Sequence, residues 1–152
     1  MTERTERLRV VAEAVSWLGT PFIWHAQIKG PKGGADCGTF PAAVYRDAGI
    51  FDEPMHDLSP QWHLHADVDG SVKEEYLDRL AKHMREIKQL EVQPGDFIVT
   101  KIGLAYSHGA IVLDTYPRII HCYGRGVRRS NALADSIWLG QLVRYFSPWG
   151  RS

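Results

Sequence analysis

Apolar positions fall into two regimes along the chain, helical spacing first and short β-rich runs afterwards. Leu8, Val11, Ala12, Val15 and Leu18 recur three and four residues apart, with Arg4, Glu6, Arg7 and Glu13 between them, which predicts an amphipathic helix ending near Gly19, before Pro21. Residues 30–34, Gly-Pro-Lys-Gly-Gly, are a loop by composition. Phe40, Val44, Tyr45 and Ala48 then form a second apolar stripe that stops at Gly49, so Cys37 lies where a loop becomes a helix. Residues 50–70 hold two prolines, three histidines and several acids without sustained periodicity, and read as irregular. Residues 74–90 return to helical spacing through Tyr76, Leu77, Leu80, Met84 and Ile87.

After Pro94-Gly95 the pattern changes. Runs at 97–100, 108–114, 118–123 and 142–146 are rich in β-branched and aromatic residues, with turn signals at Gly103, Tyr116-Pro117 and Gly124-Arg-Gly126 between them. Helices followed by a small antiparallel sheet is an α+β arrangement. The length of 152 residues suits one domain spanning 1–152.

Charge narrows the function classes. Lys plus Arg and Asp plus Glu number 18 each, so the chain lacks the field that holds nucleic acid or an anionic membrane, and neither is an expected partner. Residues 1–9 alternate charge and polarity with no signal-peptide run behind them, which predicts a product made in the cytoplasm. Cys37 and Cys122 are the only cysteines, and at least one is expected to be a free thiol.

A cysteine at a helix start faces unpaired N–H groups and the positive end of the helix dipole, both of which favour thiolate. His108 heads one apolar run and His121 sits in the next, close enough in sequence for neighbouring strands. One imidazole can take a proton from the thiol while a second polar group fixes its tautomer, so Cys37, His108 and His121 fit a nucleophile, a base and an orienting residue.

Five short motifs follow one another in order: Trp17-Leu-Gly-Thr-Pro-Phe-Ile-Trp24, Gly33-Gly-Ala-Asp-Cys-Gly-Thr-Phe40, Pro94-Gly-Asp-Phe97, Ser107-His-Gly-Ala-Ile-Val112 and Ile120-His121. The ordered set resembles the NlpC/P60 cysteine peptidases. The resemblance implies a papain-like domain with N-terminal helices packed on the sheet, and a variable insertion at about 50–91. It also implies hydrolysis of amide bonds in bacterial cell-wall stem peptides without a cofactor, with Cys37 as nucleophile, His108 as base and His121 as the third residue. The motif neighbours Trp24, Asp36, Gly38 and Ser107 are the expected substrate-binding positions. This chain departs from the family pattern at Trp24, where a tyrosine is usual, at Gly38, where serine is usual, and at Pro41, which places the start of regular helix one or two residues after Cys37. The segment Trp24-His-Ala-Gln27 before a Lys-Gly-rich loop looks like the phage tail-associated branch, which would make tail proteins partners and deliver a wall enzyme that has no signal peptide.

Other readings stand beside these. The fold without turnover would make a tail or wall-binding module, and the same chemistry on lipid or protein would make a thiol amidase or acyltransferase. His63, His65 and Asp67, with His56 upstream, have the spacing of a metal-binding turn, but nothing in sequence closes a coordination shell. The CxxC spacing of structural zinc is absent, so Cys37, Cys122 and the two strand histidines are not read as a metal site. Trp24, Trp62, Trp138 and Trp149 could line a groove, and Arg125, Arg128 and Arg129 could meet a carboxylate from a hairpin end.

Overall fold

The structure is a computed structural model and describes residues 1–52 and 74–150. The histidine-rich turn around His63 and His65, together with His56, Asp67 and Trp62, lies outside the described residues. Helix α1 (Glu3–Ser16) is opened by Thr2, whose hydroxyl accepts the Thr5 N–H at 3.2 Å, with Glu3 and Glu6 in the first turn at the positive end of the dipole. Trp17 caps it, and Gly19 takes a left-handed φ of 85° to turn the chain away. A two-stranded ribbon follows, β1 (Gln27–Ile28) against β2 (Gly34–Ala35), enclosing the predicted loop.

Helix α2 (Thr39–Asp47) buries Phe40, Val44 and Tyr45 of the predicted stripe, and its C-cap Ala48 is buried as well. It begins two residues after Cys37, and Pro41 falls in its first turn, where a missing N–H costs no intrahelical bond. Helix α3 (Glu75–His83) carries Tyr76, Leu77 and Leu80 into the core. The helical pattern predicted for 74–90 breaks there: Met84 is extended, and β3 (Arg85–Ile87) joins a sheet with β4 (Phe97–Ile102), β5 (Ala105–Val112), β6 (Arg118–Tyr123), β7 (Gly126–Asn131) and β8 (Val143–Ser147). The physical reason is tertiary. Arg85 donates to the Trp149 carbonyl at 2.7 Å, Glu86 pairs with Arg144, and β3 completes an edge of the sheet on β8.

The sheet is antiparallel in the order β3-β8-β4-β5-β6-β7. Its helix-facing side packs Phe97, Val99, Ile111, Ile120 and Cys122 against Val10, Ala14, Phe40, Val44 and Tyr45. The other side has a smaller core of Ile98, Ala110, Val112, Ile119, Ala132 and Trp138. Strand β7 is a second departure, because its run from Arg128 to Asn131 is polar; it is the last strand in the sheet order, where Arg128 and Arg129 face solvent and discourage further pairing.

The buried line of α1 also differs from the predicted stripe. Val10, Ala14 and Trp17 are fully buried together with Arg7, while Leu8 is 60% exposed. Arg7 turns the helix: its guanidinium donates to Asp96 Oδ1 at 2.8 Å and to the Pro94 carbonyl at 2.9 Å, and lies 4.2 Å from the Trp149 ring centre. The Pro94-Gly-Asp-Phe97 motif is thus a clasp between α1 and the sheet. Gly95 sits there at φ 87°, where a Cβ would press on Trp149 and the Arg7 backbone.

Candidate functional site

Asp36 builds the start of α2. It is fully buried, its Oδ1 accepts both the Gly38 and Thr39 N–H groups at 2.8 Å, and its Oδ2 accepts the His25 N–H at 2.8 Å. His25 adopts φ 65° to reach it, a left-handed conformation in which histidine is more common than most side chains. Thr39 completes the collar, accepting from the Asp36 N–H and donating to the Ala26 carbonyl. These contacts show what Asp36 and Gly38 do in the fold. Asp36 is a structural cap with no surface to offer a substrate, and the Gly38 N–H is already bonded to it. The backbone N–H of Cys37 acts on its own thiol in the direction that favours thiolate.

Cys37 is 7% exposed and its thiol donates to the Ser107 carbonyl at 3.5 Å. That carbonyl belongs to a bulge. Thr100 pairs with His108 but Lys101 pairs with Tyr106, which leaves Ser107 as the extra residue on β5. Two consecutive residues, Ser107 and His108, therefore both reach one cleft of about 240 Å³, whose other lining residues are Cys37, Phe22, Trp24, Ile102 and Tyr123. Trp24 is half-exposed in this wall and meets Phe22 edge-on, with ring centres 4.9 Å apart.

Behind the cleft, His108 Nε2 lies 2.8 Å from His121 Nδ1. His121 is fully buried on β6, where it alternates with the helix-facing Ile120 and Cys122 and so points to the opposite side of the sheet. There it meets Trp138, whose indole N–H donates to the same Nδ1 at 3.2 Å. On the other nitrogen, His121 Nε2 stands 3.8 Å from Asp135 Oδ2.

Burial sets the protonation states. It pushes the Cys37 thiol well above its ordinary range, with the neighbouring Asp36 carboxylate and Cys122 adding to the rise. It holds His108 well below the usual imidazole value, and His121 down to about 4. The resting pair is therefore neutral thiol and neutral imidazole, against the expectation that the helix start would favour thiolate. Cys122 is fully buried, its thiol donates to the Ala35 carbonyl at 3.2 Å, and burial raises it to about 12.

The remaining candidates are dispersed. Trp149 is buried under Arg7 and donates to Glu6, Trp138 is buried behind the histidines, and neither lines the cleft. Arg128 and Arg129 lie on β7, Arg128 within 3.8 Å of Asp135 and Arg129 beside a separate surface hollow with Val11, Val15 and Arg118. No group of three His, Cys, Asp or Glu side chains suited to a metal is assembled among the described residues. No helix among them is long and apolar enough to cross a membrane. Tyr123, Ile102 and Asp135 carry no motif in sequence and become site residues only through the fold, while Phe22 stands inside the first motif.

No family model matches this chain, and no curated protein does. Solved structures do. A Staphylococcus aureus protein of the NLP/P60 family, described as similar to lipoprotein, is 22% identical with a TM-score of 0.64 over 94% of this chain, which spans only 42% of that protein's length. The NlpC/P60 domain of the peptidoglycan hydrolase SagA is 20% identical at TM-score 0.59, covering 91% of this chain and 96% of that one. RipD from Mycobacterium tuberculosis, described as a non-catalytic NlpC/P60 domain protein adapted to peptidoglycan binding, is 16% identical at TM-score 0.59, covering 93% and 96%. The chain has the α+β fold of NlpC/P60 domains.

Proposed function

We propose that this protein is a cysteine hydrolase that cleaves amide bonds in peptidoglycan stem peptides, with Cys37 as nucleophile, His108 as base and His121 orienting His108. The observation that carries the reading is that a thiol and a neutral imidazole line one cleft, with a second imidazole bonded behind the first at 2.8 Å. The His108 Nε2 edge is committed to His121, so Nδ1 is the nitrogen left for the thiol. As the Cys37 sulfur attacks the amide carbonyl, its proton passes to His108, and the S–C bond forms while the Cys37 N–H donates to the developing oxyanion. His108 then gives that proton to the leaving amine as the C–N bond breaks. Water attacks the thioester, loses a proton to His108, and the product acid departs from a regenerated thiol. The substrate class is supported by the fold shared with a peptidoglycan hydrolase and with a peptidoglycan-binding domain. Delivery by a phage tail and contact with tail proteins belong to the same proposal, supported by the segment Trp24-His-Ala-Gln27.

A second reading has its own support. Apart from Cys37, Ser107 and His108, the cleft is lined by Phe22, Trp24, Ile102 and Tyr123, an aromatic and aliphatic wall suited to an apolar acyl group. Incubation with purified peptidoglycan and mass analysis of released fragments separates the two. The parent is expected to release stem-peptide fragments and Cys37→Ala to lose about a thousandfold or more in rate. Cosedimentation with the wall and no fragment release from either protein would overturn hydrolysis in favour of a binding module. Cleavage of acyl amides or thioesters alone would favour the second reading.

A further inference from the structure

We infer that Trp138 is a positioning residue whose indole N–H sets the direction of the His108–His121 hydrogen bond, and thereby leaves His108 Nδ1 as the nitrogen that can receive a proton from Cys37. The inference rests on the reading of Cys37 and His108 as nucleophile and base, and deepens it.

Two neutral imidazoles joined by one hydrogen bond have two arrangements. His108 Nε2–H can donate to His121 Nδ1, which leaves His108 Nδ1 with a lone pair toward the cleft. Alternatively His121 Nδ1–H can donate to His108 Nε2, which puts the His108 proton on Nδ1, where it blocks the base. The 2.8 Å separation is the same for both. An indole N–H can only donate, and that of Trp138 points at His121 Nδ1 from 3.2 Å. In the second arrangement two N–H groups would face each other in a fully buried site. In the first, the Nδ1 lone pair accepts from both, more closely from His108.

The other end of His121 agrees. With Nδ1 accepting, its proton resides on Nε2, which is buried, makes no direct hydrogen bond, and faces Asp135 Oδ2 at 3.8 Å. Asp135 is an acceptor held in place by the Ser130 hydroxyl and the Ile137 N–H, with Arg128 3.8 Å away. A carboxylate on that side favours Nε2–H over a bare lone pair. Trp138 is 1% exposed and lies outside the cleft lining, so it acts through His121 and does not touch a substrate seated there.

The test is nitrogen NMR of the full chain with labelled histidine at pH 7.5. We expect His108 and His121 both neutral and both protonated at Nε2. Trp138→Phe keeps a ring in the pocket and removes the donor. It should mix the two tautomers and lower kcat about three- to tenfold with KM unchanged, the effect of one neutral hydrogen bond. In a His121→Asp background the orienting group can only accept, so adding Trp138→Phe should lower kcat no further. A parent protein carrying the His121 proton on Nδ1 overturns the inference without any variant, as does Trp138→Phe with unaltered tautomers. If the parent cleaves no wall peptide the proposed substrate fails, while the NMR result still decides the role of Trp138.

Discussion

Two influences compete at Cys37. The positive end of α2 favours thiolate by about 0.3–1 kcal/mol, while burying an unpaired anion costs several kcal/mol, so burial wins. The dipole is also partly spent, because Asp36 accepts the Gly38 and Thr39 N–H groups and places a carboxylate beside the sulfur. On the proposed mechanism, thiol and imidazole therefore exchange a proton during attack instead of resting as an ion pair. Two outcomes follow from these directions. The acid limb of kcat/KM, where protonation removes the base, should have its midpoint below the ordinary imidazole value of about 6.5, because burial lowers His108. Alkylation of Cys37 by iodoacetamide should rise with a midpoint above the ordinary thiol range, and Cys122, with no surface, should label far more slowly. Half-maximal labelling of Cys37 near pH 6 would sink the neutral-pair account.

At the scale of elements, the site depends on how closely β4 and β5 approach. Gly109 follows His108 and has no room for a side chain: a Cβ would fall 2.2 Å from the Phe97 ring and 3.0 Å from the Tyr76 hydroxyl. Gly109→Ala should cost about 1–3 kcal/mol in a urea melt, the range for overpacking a core. It should also lower turnover beyond the loss of folded protein, since the strand that shifts carries His108. Equal stability and rate for parent and variant would show that β5 can give way freely. The same strands mark what was legible in sequence. The α2 stripe was readable from the helical spacing of its large apolar residues, and β4, β5 and β6 from short apolar runs between turn signals, because these strands are covered on both faces. The end of α3 was not, because Arg85 and Glu86 are fixed by Trp149 and Arg144, more than fifty residues away. The same holds for Trp138, an aromatic in a stretch without strand periodicity whose importance lies in one N–H and what stands opposite it. Ser107 was legible as a motif position, but the bulge that turns it into the cleft is a property of pairing with β4.

Across the whole molecule, the burial that keeps the histidine pair neutral also makes the fold sensitive to acid. His121 titrates near 4 in the folded chain and near 6.5 when unfolded. Above about pH 6.5 it is neutral in both states and contributes no pH dependence. Between pH 6.5 and 4 the unfolded chain binds a proton that the folded chain refuses, so stability falls as pH falls, at about 1.4 kcal/mol per unit. At pH 5 the loss from His121 alone is about 2 kcal/mol, and His108, lowered in the same direction, adds to it. His121→Gln keeps a polar group in the pocket and removes the titration. Urea unfolding at pH 7.5 and pH 5 should therefore show the parent losing more stability than the variant by about 2 kcal/mol, whatever the carboxylates contribute, because they are common to both. The Arg7–Asp96 clasp is one such shared group. If parent and variant lose the same amount between the two pH values, His121 is not held neutral by the fold, and the proton assignments on which the cleft chemistry rests must be redrawn.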